Sequence, residues 1–305
     1  MTDRCLLSFG HGYSARVLGR RLLAEGWRIV GTTRSAAKAE AFRAEGIEAA
    51  IWPPPAALLD QASHVLVSIA PDAEGDPVLR AFGQEIAERA ARLAWVGYLS
   101  TTAVYGDRAG GWVDETSVRR PGTRRGAWRA AAEDAWLRLW LDHGAAVHIF
   151  RLAGIYGPGR GPFEKLRAGT ARRIIKPGQV FSRIHVEDIA EALCASMARP
   201  HPGAVYNLCD DDPAPPEAVI EEAARLLGLP IPEAVPFEAA EMTEMARSFY
   251  AESKRVSNAR MKTELGIALR HPDYRSGLRA LLAAEAHEGG LTSAPQHGPA
   301  VAGRK

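Results

Sequence analysis

Residues 10–15 read Gly-His-Gly-Tyr-Ser-Ala, and this glycine pattern constrains the fold more than any other stretch of the chain. An apolar run, Leu6–Phe9, precedes it and a helical pattern follows, so the pattern lies between a predicted strand and a predicted helix. In such a turn Gly10 permits the tight bend, Gly12 lets the backbone approach a pyrophosphate, and Ala15 lets the helix pack closely on the strand. The pattern predicts a dinucleotide-binding turn; the alternative is an ordinary connection between a strand and a helix.

The individual residues of this glycine loop (residues 10–15) have separate expected roles. Gly10, Gly12, Tyr13 and Ser14 are expected to hold the pyrophosphate, because N–H groups at a helix start attract anions. The side chain of His11 either makes a hydrogen bond to a phosphate or points outward.

The end of the second predicted strand indicates which cofactor binds. Sites specific for NAD usually place an Asp or Glu there, on the ribose 2′-hydroxyl. This chain has Thr33 and Arg34 and no acid at that point. A guanidinium can pair with a 2′-phosphate. The sequence therefore favours NADP, with NAD as the other cofactor considered and a merely solvated arginine as the alternative for Arg34.

Short apolar runs alternate with helical patterns through the first half of the chain, and such alternation predicts a parallel sheet with helices on both faces. The fold class expected is α/β, a Rossmann-type doubly wound, mostly parallel sheet with a smaller C-terminal substrate lobe. The predicted division is a core over residues 1–150, a lobe over 151–286 with segments returning to the core, and a disordered tail over 287–305. The tail assignment rests on its Gly, Ser, Ala and Pro content.

Composition excludes several classes of protein. A formal net charge of +2 on 305 residues gives no overall attraction to nucleic acid or to a membrane surface. Three cysteines without a CxxC pair argue against a disulfide framework and against zinc, and they favour a reducing cytoplasm. No apolar run is long enough to span a bilayer, and no signal peptide is expected. The acidic run 210–212 reads as a turn rather than a metal site, so no metal is expected.

Five motifs in order resemble the extended short-chain dehydrogenase/reductase family, which includes nucleotide-sugar epimerases and dehydratases. They are Tyr98–Asp107 with its Ser/Thr-rich start and Val-Tyr-Gly, Val113–Thr116, Arg151–Arg160, Arg183–Ala190 and Val205–Asp210. The resemblance covers about residues 4–285. It implies an NAD(P)-dependent oxidoreductase or epimerase, a small-molecule substrate, and a homodimer formed through the two long helices that flank the fifth strand.

The chain departs from the family at the catalytic pair. Members carry a Tyr and a Lys four residues apart, about 24 residues after a Ser/Thr that orients the substrate oxygen. Thr101 matches that Ser/Thr, but Arg125 and Arg129 occupy the Tyr and Lys positions. Arginine cannot shuttle a proton at neutral pH. Arg129 could still hold the ribose as a fixed cation, and Arg125 could bind an anionic substrate, although a solvated basic stretch is the alternative for both.

The resemblance suggests further contacts. Tyr105 and Tyr156 are candidate replacements for the missing tyrosine, with packing in the pocket wall as the alternative for both. The residues expected beside the cofactor are Ile69, Ala70, Pro71 and Ser100, and those expected beside the substrate are Thr102, Arg125, Tyr156 and His185.

Two functions follow from these observations. The first is an atypical, NADP-dependent epimerase/dehydratase-like oxidoreductase that acts on a small polar or anionic, sugar-like compound. The second is a catalytically inactive sensor or regulatory protein that binds NADP(H). The missing tyrosine favours the second function, and the intact substrate loop at residues 154–161 favours the first.

Overall fold

A computed structural model describes residues 4–291 of the chain. Its strands are β1 (Cys5–Phe9), β2 (Arg28–Thr33), β3 (Glu48–Ile51), β4 (His64–Val67), β5 (Trp95–Thr101), β6 (Trp112–Val113), β7 (Val147–Leu152), β8 (Gly154–Tyr156), β9 (Arg173–Ile175), β10 (Arg183–His185), β11 (Val205–Leu208), β12 (Ala234–Pro236) and β13 (Arg255–Val256). Its α-helices are α1 (Tyr13–Ala24), α2 (Ala36–Ala44), α3 (Leu58–Gln61), α4 (Pro77–Glu88), α5 (Arg124–His143), α6 (Phe163–Arg167), α7 (Val186–Ala198), α8 (Pro216–Leu227), α9 (Glu244–Phe249), α10 (Ala259–Leu265) and α11 (Tyr274–Leu291).

Seven strands form one parallel sheet in the order β11-β7-β5-β4-β1-β2-β3. The order reverses between β1 and β4, and this point lies directly beside the glycine loop. In open parallel sheets, ligands bind where the strand order reverses, outside the carboxyl ends of the strands. The predicted Rossmann-type fold is therefore confirmed.

The alternation of side chains along β5 explains how both faces of the sheet are covered. Trp95 and Leu99 join the hydrophobic cluster formed with α1 and α7, whereas Val96 and Tyr98 join the cluster formed with α4 and α5. Successive side chains of a strand point to opposite faces, so one apolar strand serves both layers.

Helix α7 ties the second half of the chain to the first. It packs against α1, and Arg21 on α1 reaches Glu187 and Glu191 on α7 at 2.9 and 2.8 Å. Strand β11 also returns to the central sheet, beside β7. A third hydrophobic cluster, which includes Phe163, Ala223 and Leu278, holds α6, α8 and α11 together beyond the sheet.

Three short parallel pairs lie outside the main sheet: β8 with β10, β9 with β12, and β6 with β13. The sequence predicted none of these pairs, because each strand has only two or three residues. Helix α11 continues to Leu291, past residue 287, where the sequence predicts the start of a disordered tail. Residues 292–305, also part of that predicted tail, lie outside the described residues.

Candidate functional site: a glycine loop at the carboxyl edge of the sheet

The glycine loop is fixed by the strands on either side of it. Gly10 has a φ of 78°, its N–H donates to Thr32 Oγ1 at 2.8 Å, and the N–H of His11 donates to the Thr32 carbonyl oxygen at 3.0 Å. A Cβ at Gly10 would lie 2.8 Å from Cγ1 of Ile69. Both the backbone conformation and the available space therefore require glycine at this position.

The start of α1 is open toward a ligand. Gly12 is its N-cap, no side chain caps the helix, and its first turn contains no acidic residue. The nearest atom to a Cβ built on Gly12 is the Gly10 carbonyl oxygen, at 3.7 Å, so a side chain there would extend into open space. Ala15 is buried against the sheet. The start of α1 therefore suits a pyrophosphate, because its N–H groups are unpaired, its helix dipole attracts negative charge and no side chain blocks the approach.

Tyr13 connects the glycine loop to the substrate loop (residues 154–161). Its hydroxyl donates to the Pro158 carbonyl oxygen at 3.0 Å, and the Arg160 guanidinium lies 4.6 Å from the centre of its ring. A Cβ at Gly157 would lie 2.5 Å from the same hydroxyl. The predicted cofactor loop and the predicted substrate loop therefore meet at Tyr13. Ser14, the next residue of α1, is buried.

The structure turns the His11 side chain away from the expected phosphate. The ring is buried next to Gly19 and Gly31 and makes an edge contact with Phe42, with 5.1 Å between the ring centres. Burial lowers the pKa of His11 to about 4, so the ring is neutral at physiological pH. The phosphate contact suggested for this side chain is therefore wrong, because the ring fills the space above two glycines.

The end of β2 presents a free cation. Arg34 is exposed and has no ion-pair or hydrogen-bond partner among residues 4–291. Thr33 is half-buried, and its hydroxyl accepts a hydrogen bond from the N–H of Ser35 at 3.2 Å. Ser35 in turn caps α2.

The segment after β4 approaches the glycine loop from the other side. Ser68 Oγ donates to the carbonyl oxygens of Phe9 and Gly10, which fastens the end of β4 to the end of β1. Ile69 and Pro71 are half-buried and Ala70 is exposed. Ile69 therefore lies against the glycine loop, and contact of these three residues with a cofactor stays a prediction.

The end of β5 divides its polar residues between the core and the site. Ser100 is buried and donates to Glu133 Oε1 at 2.5 Å, so its side chain belongs to the core. Thr101 and Thr102 are half-exposed. Thr101 Oγ1 accepts a hydrogen bond from the Ala103 N–H at 3.3 Å, which leaves its proton free to donate to a ligand.

The two arginines that replace the catalytic pair are in different environments. Arg129 Nη1 donates to the Leu99 carbonyl oxygen at 2.7 Å and to the Tyr98 hydroxyl at 3.2 Å, so half of its guanidinium is committed to the end of β5. Arg125, one turn earlier on α5, is exposed and has no partner among residues 4–291. A fixed arginine next to a free one is compatible with anion binding and incompatible with proton shuttling.

The pKa values of the seven tyrosines do not favour loss of the phenol proton. Burial is the largest influence on each of them, and it raises every one of their pKa values. Tyr105 is fully buried. Its hydroxyl donates a hydrogen bond to Asn207 Oδ1 at 2.7 Å and accepts one from Arg151 Nη1 at 2.8 Å. The catalytic role considered for Tyr105 is therefore wrong, because both of its hydrogen bonds are made inside the core.

Tyr156 and His185, expected beside the substrate, pack against each other with 5.1 Å between their ring centres. The Tyr156 hydroxyl donates to the Asp273 carbonyl oxygen at 3.4 Å, and the ring presses on Gly277 of α11. Both residues are buried, so they join the substrate lobe to the core and do not face a ligand.

His185, Asp188 and His271 place one ligand atom each within 4.8 Å of the others, a grouping that the sequence did not suggest. The two carboxylate oxygens of Asp188 accept the N–H groups of Arg270 and His271 at 2.7 and 3.1 Å. His185 Nδ1 accepts the N–H of Glu187, so in the neutral ring Nε2 carries the proton and is no ligand. Burial lowers the pKa of His185 to about 3. The group therefore acts as a cap that fixes α7 to the segment before α11.

Sequence reasoning missed one pair of charged residues near the site. Glu252 and Lys254 lie just before β13, and Lys254 Nζ donates to Glu252 Oε2 at 2.6 Å. Their side chains keep only 11% and 10% of their exposure. The rarity of lysine was the available signal: the sequence has six lysines among its 38 basic residues.

Three findings define the class of protein. A parallel sheet in this order, a glycine turn at the end of β1 and an open helix start at the same edge are the features of a Rossmann-type dinucleotide-binding protein. No helix among residues 4–291 combines the length and the apolar character needed to cross a membrane.

Comparisons with known proteins show which proteins the chain is similar to. A structure of a conserved protein of unknown function from Silicibacter pomeroyi DSS is 60% identical, with a TM-score of 0.87 over 92% of this chain and 99% of that one. A protein from Methylobacillus flagellatus assigned as an NAD-dependent epimerase/dehydratase is 25% identical, with a TM-score of 0.70 over 94% of this chain and 100% of that one. Protein YeeZ from Escherichia coli strain K12 is 29% identical over 87% of this chain and 95% of its own length.

No family model matches the sequence. The fold, the order of the motifs and these relatives nevertheless agree, and they fit an atypical extended short-chain dehydrogenase/reductase in which α5 carries Arg125 and Arg129 and no Tyr/Lys pair.

Proposed function

We propose that this chain binds NADP(H) at the glycine loop and acts as an atypical oxidoreductase or epimerase on a small polar or anionic compound. The observation that carries the proposal is the open, uncapped start of α1 beyond Gly10 and Gly12. When bound, a nicotinamide dinucleotide supplies or accepts a hydride. The relative from Methylobacillus flagellatus is assigned as NAD-dependent, which supports a nicotinamide cofactor here.

The choice of NADP rests on Arg34. This side chain is exposed at the end of β2 without a partner among residues 4–291, at the position where NAD-specific members carry an acid. A guanidinium that has no partner within the protein can make a bidentate hydrogen bond to a 2′-phosphate.

The substrate side of the site is basic and polar. Arg125 at the start of α5 and Arg160 in the substrate loop are both exposed. Thr101 has a hydroxyl proton free to donate, and Thr102 is half-exposed beside it. These groups would bind and orient an oxygen-rich, anionic compound, while the free half of the Arg129 guanidinium would hold the cofactor ribose or the substrate.

A second function, sensing of NADP(H) without chemistry, is supported by a specific observation. Arg125 and Arg129 cannot transfer protons, and the tyrosines nearby are buried. A protein that only reports the redox state of its cofactor would need the glycine loop but no proton donor.

One experiment separates the two functions. The purified protein is first loaded with NADPH or NADP⁺ and incubated with a cell metabolite extract, then followed by absorbance of the reduced nicotinamide and by mass spectrometry of the products. An enzyme consumes at least one metabolite, and an epimerase does so without net change in absorbance. Tight cofactor binding with no change in any metabolite would contradict the enzyme and support the sensor. Absence of cofactor binding would contradict both.

A further inference from the structure

Glu252 and Lys254 form a nearly buried ion pair. The ammonium has three donors, and one of them is used at 2.6 Å by Glu252 Oε2. The other carboxylate oxygen, Oε1, is buried and accepts no hydrogen bond from any residue between 4 and 291. Next to the pair, the amide oxygen of Gln179 is also buried and unpaired, while its Nε2 donates to the Glu252 carbonyl oxygen at 2.7 Å. A buried acceptor without a partner costs free energy. Glu252 Oε1 and Gln179 Oε1 could therefore each accept a hydrogen bond from a ligand.

The pair lies along the edge of the sheet where the ligand is expected. At one end of the segment 252–257, the Ser257 carbonyl oxygen accepts from Asn207 Nδ2 at 3.2 Å, on β11. At the other end, Glu252 Oε1 would be 3.3 Å from a Cβ at Gly122, which directly precedes the N-cap of α5. The segment therefore crosses the carboxyl edge of the sheet to the start of α5, where Arg125 replaces the family's tyrosine.

The residue type at position 254 is informative because this chain strongly prefers arginine. Six of its 38 basic residues are lysines. Within the part of the chain that the structure describes, Lys254 is the buried one, and the others are exposed or half-exposed. For an ion pair alone an arginine would serve equally well or better, whereas a lysine can give up and regain a proton.

Charged residues on neighbouring segments lie close to the pair. Ser253, between the two residues, donates its N–H to Asp107 Oδ1 at 2.7 Å, and this bond, with a smaller effect of Lys254, lowers the pKa of Asp107. The N–H of Arg108 donates to the Ser253 carbonyl oxygen at 3.0 Å. Arg125 lies beyond Gly122 on α5. Lys254 therefore has the carboxylates of Glu252 and Asp107 as neighbours, and Glu252 reaches the residue that precedes the N-cap of α5.

We propose that Lys254 is the proton donor and acceptor of this site and that Glu252 is its positioning residue. The proposal rests on the enzyme function given above and names the group that replaces the missing tyrosine. As the substrate carbonyl becomes a hydroxyl, the Lys254 ammonium gives one proton to the carbonyl oxygen and becomes a neutral amine, which regains a proton from water. In the opposite direction the amine takes the hydroxyl proton. A nicotinamide dinucleotide held at the glycine loop would supply or accept the hydride.

A chemical labelling experiment tests access to Lys254 without requiring any activity. The native protein is treated at pH 9 with glycolaldehyde and cyanoborohydride, and the modified lysines are quantified by peptide mapping. We expect Lys254 to be alkylated at a rate comparable with that of exposed Lys38, and saturating NADP⁺ to slow only the former. If Lys254 stayed unmodified until the protein was unfolded, the proposal would be overturned. Its ammonium would then be inaccessible to a small carbonyl compound and would serve only a structural ion pair.

Variants test the chemistry with the metabolite that the extract experiment identifies. Lys254→Arg keeps the charge but cannot give up a proton, so kcat should fall by about 10²–10⁴-fold, with unchanged NADPH affinity and melting temperature. Glu252→Gln removes the charge that holds the Lys254 ammonium in place, so it should lower kcat and leave KM unchanged. Lys262→Arg, a surface replacement on α10, is the matched control. Full activity of Lys254→Arg would refute the proposal. Turnover of no metabolite by the wild-type protein would instead refute the proposed function, and the labelling result would still decide whether a small carbonyl reaches Lys254.

Discussion

Arg151 on β7 and Glu133 on α5 form a buried ion pair, with 2.8 Å between Nη2 and Oε2 and exposed side-chain fractions of 5% and 0%. Glu133 also accepts from Ser100 on β5 and from Arg119, while Arg151 Nη1 donates to the Tyr105 hydroxyl. The Glu133 carboxylate thus joins strands β5 and β7 to helix α5, the helix that carries Arg125 and Arg129. The pair therefore fixes the geometry of the candidate site from beneath.

Removal of one partner of this pair should destabilise the protein strongly. Glu133→Ala leaves the Arg151 guanidinium buried without its counter-ion, and breaking a buried pair in this way costs about 3–5 kcal/mol. Chemical unfolding measures the loss. Asp134→Asn is the matched control, because Asp134 pairs with Arg119 at a half-exposed position, where a loss of about 1 kcal/mol or less is expected. Equal losses for the two variants would contradict the structural role of Glu133.

The parts of the site that the sequence predicts correctly depend on neighbours along the chain. Gly10, Gly12 and Ala15 act through backbone conformation and close packing, and these requirements are visible in a six-residue pattern. The alternation of strands and helices likewise fixed the fold class.

The parts that the sequence does not predict depend on residues far apart in the chain. Tyr105 is excluded from catalysis by Asn207 and Arg151, which are 102 and 46 residues away. The ring of His11 is drawn into the core because Gly19 and Gly31 leave room for it. Glu252 reaches the start of α5 across 130 residues of sequence, counting from Gly122. No local pattern encodes such contacts, so side-chain direction had to come from the structure.

The glycine at position 10 should be irreplaceable for two separable reasons. Gly10→Ala places a Cβ at positive φ, which costs about 1–2 kcal/mol, and in addition drives it against Ile69. Gly26→Ala is the matched control, because Gly26 has a φ of 79° and nothing within 4 Å of the added Cβ. Unfolding experiments should show a larger loss of stability for Gly10→Ala, and calorimetry should show weaker NADPH binding for that variant alone. Equal effects of the two substitutions would argue against the close packing of Ile69 on the loop.

Arg34 should discriminate between the two dinucleotides. In Arg34→Ala the charge-assisted hydrogen bonds to a 2′-phosphate are lost, and these contribute about 1.5–3 kcal/mol. The dissociation constant for NADPH should therefore rise about 10- to 100-fold, while that for NADH changes little. Calorimetric titration with both cofactors measures the difference. Arg43→Ala on α2, which removes another surface arginine close in sequence, should leave both constants unchanged. A loss of the same size for NADH and NADPH would contradict the assignment of Arg34 to the phosphate.

Asp210 should make the protein less stable as the pH rises. Its carboxyl group is 1% exposed, both oxygens lack hydrogen-bond partners among residues 4–291, and burial raises its pKa from 3.8 to about 8. Between these two values the folded protein keeps a proton that the unfolded chain releases, so the free energy of unfolding falls as the pH rises through this window.

Asp210→Asn removes the titrating group while keeping the shape of the side chain. The variant should gain little stability near pH 4 and about 1–2 kcal/mol or more near pH 8, as measured by urea unfolding across that range. Asp142→Asn, at an exposed position on α5, is the control and should show no pH-dependent gain. A gain for Asp210→Asn that is constant from pH 4 to pH 8 would mean that Asp210 titrates alike in the folded and unfolded chain, and that its burial does not perturb it.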